Sequence, residues 1–347
     1  MLTPDYNIFF ALLTSFLITY VAIPKVIFFA QQFRLTDVAG KRAAHEGSTP
    51  IFGGIAIFSG IIFSLLFWAD LGNIQFLLVS FLIVFFVGVI DDLLTLSPIK
   101  KLIGQIIAIL IIIFLGNLEI DSMHGVLGDT DQLPKWISTL FTIFVVIVIT
   151  NGFNLIDGVD GLAGGLGVIA SSTFGIIALL MNQGDMAIIA FALTGALLGF
   201  LKYNLYPAKI FMGDTGSLVV GMILSILAIN LIKHGLVTET IKFPNKGPLL
   251  AIVILAIPLF DSLRVFIARI IKGRHPLYPG RGHIHHALLD LEFGHKRTAL
   301  ILYFISVLLI FGSYFLLELN VTLSIAILTL VSYFLLFIPF YILRKRK

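Results

Sequence analysis

Side chains able to bind a ligand are concentrated in one stretch between two apolar runs. Residues 151–165 read NGFNLIDGVDGLAGG and hold two Asn, two Asp and five Gly. Two carboxylates and this much glycine suit neither a membrane span nor an ordinary structural turn, because glycine in loops usually marks a close approach of the backbone. The stretch therefore predicts a place where backbone and carboxylates approach a ligand together.

Further carboxylates lie at the ends of other apolar runs. Asp91 and Asp92 end one run, and an isolated pair of this kind would equally suit the water-facing end of a span. Adjacent like charges near hydrocarbon are costly unless a cation or a pKa shift relieves them. With Asp157, Asp160 and Asp214 on the same face, five carboxylates indicate a divalent cation site. Oxygen ligands from Asp and Asn suit Mg²⁺, with Mn²⁺ as the alternative.

Asp214 lies in the segment FMGDTGS (211–217), which opens another apolar run. Free N–H groups at a helix N-terminus suit an anion, and the carboxylate suits a metal that bridges to it. Taken alone, the segment is more typical of an ordinary helix cap.

Basic residues supply the opposite charge. Lys101 follows the Asp pair by two to three helical turns, a spacing that places a cation on the same face as Asp92 or behind it. The segment GHIHH (282–286) suits phosphate binding and proton handling, a solvated basic loop, or a zinc or nickel site. Other basic residues near these two segments are Lys41, Arg42, His45, Lys100, Arg274, His275, Arg281, His295, Lys296 and Arg297.

The elements that must position these groups are membrane helices. The 347 residues are 59% hydrophobic and 12% charged, against about 25% charged in soluble domains. We predict an all-α polytopic membrane protein that forms a single catalytic domain over residues 1–347. A span needs about 20 apolar residues, and eleven segments approach this: 8–30, 51–69, 74–90, 102–115, 136–150, 162–181, 186–201, 217–232, 249–271, 299–317 and 321–343. The absence of cysteine excludes disulfides and thiolate metal sites.

The distribution of Lys and Arg predicts the orientation. With the N-terminus outside and the C-terminus cytoplasmic, only four of the 23 Lys and Arg residues fall on the outer side: Lys135, Lys233, Lys242 and Lys246. All the polar segments of chemical interest then meet at the cytoplasmic face. We attribute the net charge of +4 to the basic residues that set this orientation and not to nucleic-acid binding. We therefore expect no nucleic-acid partner.

Acidic groups, a divalent ion and basic side chains beside a membrane suit phosphoryl transfer between a soluble diphosphate and a lipid phosphate. An intramembrane aspartyl protease would use two membrane Asp, but here the residues before Asp214 lack the Gly-x-Gly-Asp pattern. An ion-coupled transporter would place carboxylates at mid-membrane in broken spans, whereas these cluster at one face.

The motifs resemble those of the polyprenyl-phosphate N-acetylhexosamine-1-phosphate transferases of glycosyltransferase family 4. The family includes bacterial GlcNAc-1-phosphate transferases, the phospho-MurNAc-pentapeptide translocase and the eukaryotic dolichyl-phosphate enzyme. The matching pieces run in family order from His45 to His286: HEGSTPIFGG, DDLLTLSPIKKLIGQ, NGFNLIDGVDGLAGG, FMGDTGSL and RGHIHH. The H-x-H-H form resembles the GlcNAc branch, while the peptidoglycan branch typically carries three consecutive His. Gly280 departs from the acidic residue that often precedes the Arg, so UDP-QuiNAc, UDP-FucNAc and UDP-MurNAc-pentapeptide remain alternative donors.

The resemblance implies a reaction. Undecaprenyl phosphate attacks the β-phosphorus of UDP-GlcNAc, which releases UMP and forms undecaprenyl diphosphate-GlcNAc in the bacterial cytoplasmic membrane. This step would initiate a cell-envelope polysaccharide such as lipopolysaccharide or teichoic acid. The partners would be the UDP-aminosugar, undecaprenyl phosphate and membrane lipid, and a homodimer is left open.

The resemblance also implies roles for individual residues. It places Mg²⁺ on Asp214 and Asn154, Asp91 and Asp92 by the lipid phosphate, and Asp157 and Asp160 in the nucleotide-sugar pocket. Lys101 would contact phosphate, and the His segment would cover diphosphate and sugar. We assign catalysis to Asp91, Asp92, Asp157, Asp214, His285 and His286. We assign substrate binding to His45, Lys101, Asn151, Asn154, Asp160, Asn204, Arg281 and His283.

Overall fold

The protein is a bundle of α-helices. The computed structural model describes residues 4–33, 49–128, 131–238, 242–271, 273 and 282–346. In chain order the helices of these ranges are α1 (Pro4–Gln32), α2 (Gly53–Trp68), α3 (Leu71–Leu94), α4 (Pro98–Phe114), α5 (Lys135–Ile156), α6 (Leu162–Leu180), α7 (Gly184–Asn204), α8 (Gly213–His234), α9 (Gly247–Ile254), α10 (Ala256–Ile271), α11 (Ile284–Asp290), α12 (Gly294–Ser313) and α13 (Val321–Arg346).

The predicted membrane segments all fall on helices. Among the described residues, eight helices are long and apolar enough to cross a membrane, or nine spans if the bent pair α9 and α10 counts as one. α2 and α4 occupy two more predicted segments but have only 16 and 17 residues. The all-α integral membrane architecture is confirmed, while the number of complete crossings remains a prediction.

The segment 249–271 differs from the single straight span expected from its apolar run. It forms two helices, α9 and α10, that meet at an angle of 71° on either side of Leu255. Pro258 has no N–H to donate to the carbonyl of Ile254, and its ring crowds that carbonyl, so a continuous helix is interrupted just before it. The bend brings α10 against α5, which carries the first half of the 151–165 stretch.

α8 lies at the centre of the bundle. It packs against α2, α3, α5, α6, α7 and α9, and nearly all its residues after the first turn are buried. Only an apolar helix can be enclosed in this way, and α8 has no charged residue between Asp214 and Lys233. The first turn of α8 therefore opens at the middle of one end of the bundle.

Glycines allow three backbones to meet at that end. A Cβ added to Gly54 of α2 would lie 2.1 Å from the backbone nitrogen of Gly216. A Cβ on Gly88 of α3 would lie 2.4 Å from Cα of Thr215. Gly213 has φ +70°, and a side chain there would lie 2.2 Å from the carbonyl oxygen of Ile51. These contacts hold the ends of α2 and α3 directly against the start of α8.

The opposite end carries the two-stranded sheet of the described ranges and one isolated β-bridge. β1 (Leu236–Val237) pairs antiparallel with β2 (Lys242–Phe243), and Ser122 forms an isolated bridge with Gln132. Neither feature approaches the polar end of the bundle.

Candidate active site

Asp92 and the first turn of α8 form the base of the site. Asp92 Oδ1 accepts a hydrogen bond from Asp214 N at 2.8 Å. Its Oδ2 accepts from Thr215 N at 3.0 Å and from Thr215 Oγ1 at 2.5 Å. A carboxylate is well suited to this position because the first N–H groups of a helix have no partner within the helix. Asp92 thus ties the end of α3 to the start of α8 and fixes the direction in which Asp214 points.

Lys101 joins two further carboxylates. Its ammonium lies 2.5 Å from Asp214 Oδ2 and also contacts Asp91 Oδ2. Asp91 is 6% exposed, and its Oδ1 accepts from Leu96 N at 2.6 Å. The sequence spacing predicted a cation on the same face as Asp92 or behind it, and the structure gives Asp91 and Asp214 as the direct partners of Lys101. The break between α3 and α4 turns α4 back so that Lys101 reaches both carboxylates.

Asn154 meets Asp214 across the site. Its Nδ2 lies 2.5 Å from Asp214 Oδ1 and 2.8 Å from Ser217 Oγ. The described residues contain no group of three or more His, Cys, Asp or Glu arranged to hold a metal. Mg²⁺, however, is usually held by one or two carboxylates together with water and substrate phosphates. Asp214 with the amide of Asn154 fits that pattern, and the two side chains are close enough to share one ion.

Asp157 lies just beyond the end of α5. Burial, together with the negative charges of Asp214, Asp92 and Asp160, raises its pKa to about 7. Its side chain has no hydrogen-bond partner in the described part of the chain, and it is half-buried. Near pH 7 both the neutral and the charged form of this carboxyl group are therefore populated. Such a group can accept a proton or pair with a cation.

Asp160 and Asn204 have a different surrounding. Asp160 Oδ2 accepts from Ala208 N at 2.9 Å, and Oδ1 lies 3.2 Å from His295 Nδ1. Asn204 accepts from Gly161 N at 3.0 Å and donates to a carbonyl in the α7–α8 connection. Both side chains are nearly fully buried. They brace the loops beside the site, and their assignment to substrate binding remains a prediction.

Asn151 faces α4. Its Nδ2 donates to Gln105 Oε1 at 3.0 Å and to the carbonyl of Ile147 at 2.9 Å. Gln105 is 1% exposed, and its Nε2 has no hydrogen-bond partner among the described residues. Gln105 was part of the motif 91–105 but received no role from the sequence, although it lies one helical turn after Lys101.

The histidines lie over the 151–165 stretch. A Cβ on Gly158 would be 2.5 Å from His285 Nε2, so a glycine there leaves room for the imidazole. Burial and the neighbouring His286 lower the pKa of His285 to about 3, which keeps the ring neutral. The His285 ring centroid lies 4.2 Å from that of His286 and 5.6 Å from that of His283.

A buried carboxylate that the sequence analysis overlooked stands behind the histidines. Asp261 of α10 is 1% exposed, and its Oδ2 lies 2.8 Å from His283 Nδ1. Arg264 Nη2 lies 2.9 Å from Asp261 Oδ1. A signal was present, because a charged residue inside an apolar run of this length is by default a candidate for function. His45 and Arg281, two of the predicted substrate-binding residues, lie outside the described residues.

The polar end of the bundle thus combines carboxylates, an ammonium and imidazoles from four of the five predicted segments. Such an arrangement can neutralise and orient phosphates while water-facing groups handle protons. The five segments come from distant parts of the chain, so their meeting tests the central prediction of the sequence analysis. For the four segments whose candidate site side chains are described, the meeting at one end of the bundle is confirmed, while the side of the membrane that this end faces stays a prediction.

Comparison with known proteins agrees with this geometry. Residues 73–232 match the model of the family described as glycosyl transferase family 4. A Bacillus subtilis protein described as a probable undecaprenyl-phosphate N-acetylglucosaminyl 1-phosphate transferase is 32% identical over 330 residues, which cover 94% of this chain and 89% of the relative. The decaprenyl-phosphate N-acetylglucosaminephosphotransferase of Mycolicibacterium smegmatis is 32% identical over 87% of this chain and 80% of its own. The undecaprenyl-phosphate alpha-N-acetylglucosaminyl 1-phosphate transferase of Escherichia coli K12 is 30% identical over 78% of this chain and 73% of its own. On this evidence the chain belongs to glycosyl transferase family 4.

Proposed function

We propose that this protein transfers GlcNAc-1-phosphate from UDP-GlcNAc to undecaprenyl phosphate, giving undecaprenyl diphosphate-GlcNAc and UMP. The observation that carries the proposal is the contact of Lys101 with Asp91 and Asp214, beside Asn154, at one end of a membrane bundle. The relatives are named for this chemistry on undecaprenyl and decaprenyl phosphates. The bundle would let the lipid phosphate reach the site from the bilayer while the nucleotide arrives from water.

Positive charge must offset the diphosphate of the donor. Lys101 would donate to non-bridging oxygens, because its contacts with Asp91 and Asp214 use two of the three N–H donors of the ammonium. Asp214 and Asn154 would hold Mg²⁺, which when bound polarises phosphoryl oxygens and neutralises charge. Neutral His285 can donate one hydrogen bond without adding charge, and we place it over the diphosphate and sugar together with His286.

The nucleophile needs little activation. A phosphate monoester has a second pKa of about 6, so at neutral pH the lipid phosphate is mostly a dianion. One of its oxygens would form a bond to the β-phosphorus while the bond from that phosphorus to the bridging oxygen of UMP breaks. No covalent intermediate with the protein is required. Asp91 would orient the lipid phosphate or accept its last proton.

Asp91→Asn tests the role of Asp91 in proton removal. If Asp91 accepts the last proton, the variant should lose most activity at pH 6.5 and recover part of it by pH 9, because the lipid phosphate ionises without help. UMP release measured across this pH range is the readout. Asp157→Asn is the matched comparison, since it removes the same charge from another side of the site. Activity of Asp91→Asn that stays equally low at pH 9 would contradict proton removal, and a trapped phosphoryl-enzyme would contradict direct attack.

The overall activity is tested with purified protein in detergent. UMP release from UDP-GlcNAc should require both Mg²⁺ and a polyprenyl phosphate, and EDTA should abolish it. Competition among UDP-GlcNAc, UDP-GalNAc, UDP-QuiNAc, UDP-FucNAc and UDP-MurNAc-pentapeptide would then identify the preferred donor. Release of UMP without the lipid, or no release with any of these donors, would overturn the proposal.

An intramembrane aspartyl protease receives less support from the geometry. Such an enzyme needs two carboxylates that share a proton at close range. Here Asp91 and Asp214 do approach each other, but both also contact the Lys101 ammonium. Asp92 is occupied by N–H and hydroxyl donors of α8. A cytoplasmic site remains our proposal from the distribution of Lys and Arg, as do the single-domain organisation and a role in envelope polysaccharide synthesis.

A further inference from the structure

Asp261 makes its contacts entirely inside the protein. Its side chain is 1% exposed in the second half of the bent helix pair. Oδ1 accepts from Ile284 N at 2.8 Å and from the Arg264 guanidinium at 2.9 Å, while Oδ2 lies 2.8 Å from His283 Nδ1. A buried carboxylate with three partners is an organised group, because each of these contacts replaces one that water would otherwise provide.

The partners determine which nitrogen of His283 carries a proton. A carboxylate can only accept hydrogen bonds, so the imidazole must donate from Nδ1. The other nitrogen, Nε2, is then the one that remains for a ligand. Arg264 reinforces the arrangement, since its guanidinium also donates to the carbonyl of Gly282, directly before His283, and stacks 3.9 Å from the ring of Phe340.

We propose that Asp261 is a positioning residue for the transfer reaction, which acts by holding His283 in the Nδ1–H form with Nε2 directed to the substrate. This inference rests on the proposed function. Asp261 does not touch the substrate; it acts through His283, whose ring is parallel to that of His285 at 5.6 Å. The same carboxylate fixes the first backbone N–H of α11, so the ring and the segment that carries it are set by one group.

Asp261→Asn isolates this role. Asparagine keeps the shape of the side chain and one oxygen for the N–H of Ile284, but its amide nitrogen cannot accept from Nδ1–H. The ring should therefore switch to the Nε2–H form. Loss of such an orienting partner typically costs about 10- to 100-fold in activity, and we expect a decrease of this size in kcat for UMP release with a smaller change in KM.

A double-mutant cycle separates positioning from stability. Asp261→Asn should cost little in a His283→Ala background if it acts through the imidazole. A similar loss in both backgrounds would show that Asp261 only supports the fold, and would overturn the inference. Asp185→Asn is the matched control at the far end of the bundle, where Asp185 accepts from Asn73, and it should leave kcat unchanged.

A second measurement needs no substrate. In ¹⁵N-histidine-labelled protein at pH 8, solid-state NMR distinguishes the two neutral imidazole forms, and the His283 signal is assigned by its loss in His283→Gln. Wild-type protein should show Nδ1–H and Asp261→Asn should show Nε2–H. The same form in both proteins would refute the inference. Failure of the proposed function would instead appear as absence of UMP release from wild-type protein, so the two failures are distinguishable.

Discussion

Lys101 is the single cation that links two carboxylates among the described side chains of the site. The two carboxylates, Asp91 and Asp214, would repel each other if both were charged. The ammonium of Lys101, which contacts both, relieves that repulsion. The contact needs α3, α4 and α8 to meet, so sequence spacing alone indicated only the face of α3 on which the cation lies. The cation is a single side chain, which makes its role directly testable.

Lys101→Gln should lower kcat/KM for UMP release by about 10²- to 10³-fold, the usual cost of losing one group that stabilises developing charge. Steady-state assays in detergent provide the measurement. Lys100→Gln is the matched control, because the neighbouring Lys100 is exposed. Equal effects of the two substitutions would indicate a general loss of positive charge rather than a specific contact.

Asp157 should make stability depend on pH. Its folded-state pKa of about 7 lies above the ordinary value of 3.8, so the charged form weakens the fold. This penalty is fully present above pH 7 and disappears as the pH falls through 7 towards 4. In EDTA, Asp157→Asn should therefore melt at a higher temperature than wild type at pH 8, and the difference should shrink by pH 5. A difference that is the same at both pH values would contradict a raised pKa.

The residue types predicted the kind of chemistry at the site, but they did not predict which hydrogen-bond partner each side chain has. The carboxylates, the lysine and the histidines do meet, as their types and sequence order indicated. Asp92 and Asp160 illustrate what spacing does not determine, because each directs its oxygens at backbone N–H groups of another segment. Which acceptor meets which donor depends on tertiary contacts between helices that are far apart in the chain.

At the scale of elements, the apolar runs located every candidate span of the described residues but did not show the bend in the 249–271 segment. Hydropathy averages over a window and carries no direction, so a helix that changes course by 71° has the same profile as a straight one. Pro258 was the local signal for it. The consequence is considerable, since the bend brings α10, and with it Asp261, towards the histidine segment.

The contact of α2 with α8 depends on a missing side chain. Gly54→Ala would place a methyl group 2.1 Å from Gly216 N and 2.6 Å from its Cα, which are backbone atoms that cannot swing aside. Overpacking of this kind typically costs about 1–3 kcal/mol. We expect a lower melting temperature together with loss of UMP release, because the start of α8 carries Asp214.

Gly184→Ala serves as the control for that experiment. Nothing lies within 4 Å of a Cβ at this first residue of α7, so its melting temperature and activity should match those of wild type. If Gly54→Ala had the melting temperature and the UMP-release activity of wild type, α2 and α8 would have to pack less closely than the structure shows.

At the scale of the whole molecule, the orientation in the membrane remains to be tested. The chain contains no cysteine, so single cysteines can be introduced without a background signal. In intact cells, Gly184→Cys at the start of α7 should react with a membrane-impermeant maleimide, whereas Lys100→Cys at the opposite end should react only after the cells are opened. The reverse pattern would place the site on the outer face and contradict the distribution of Lys and Arg.

The enclosure of α8 also limits how an inhibitor could act. Asp214 is 27% exposed, while the remainder of its helix is surrounded by neighbouring helices. An apolar compound in the bilayer would meet neighbouring helices along most of α8. Any molecule that blocks Asp214 must therefore present a polar group at the first turn of α8, whether it arrives from water or from the bilayer.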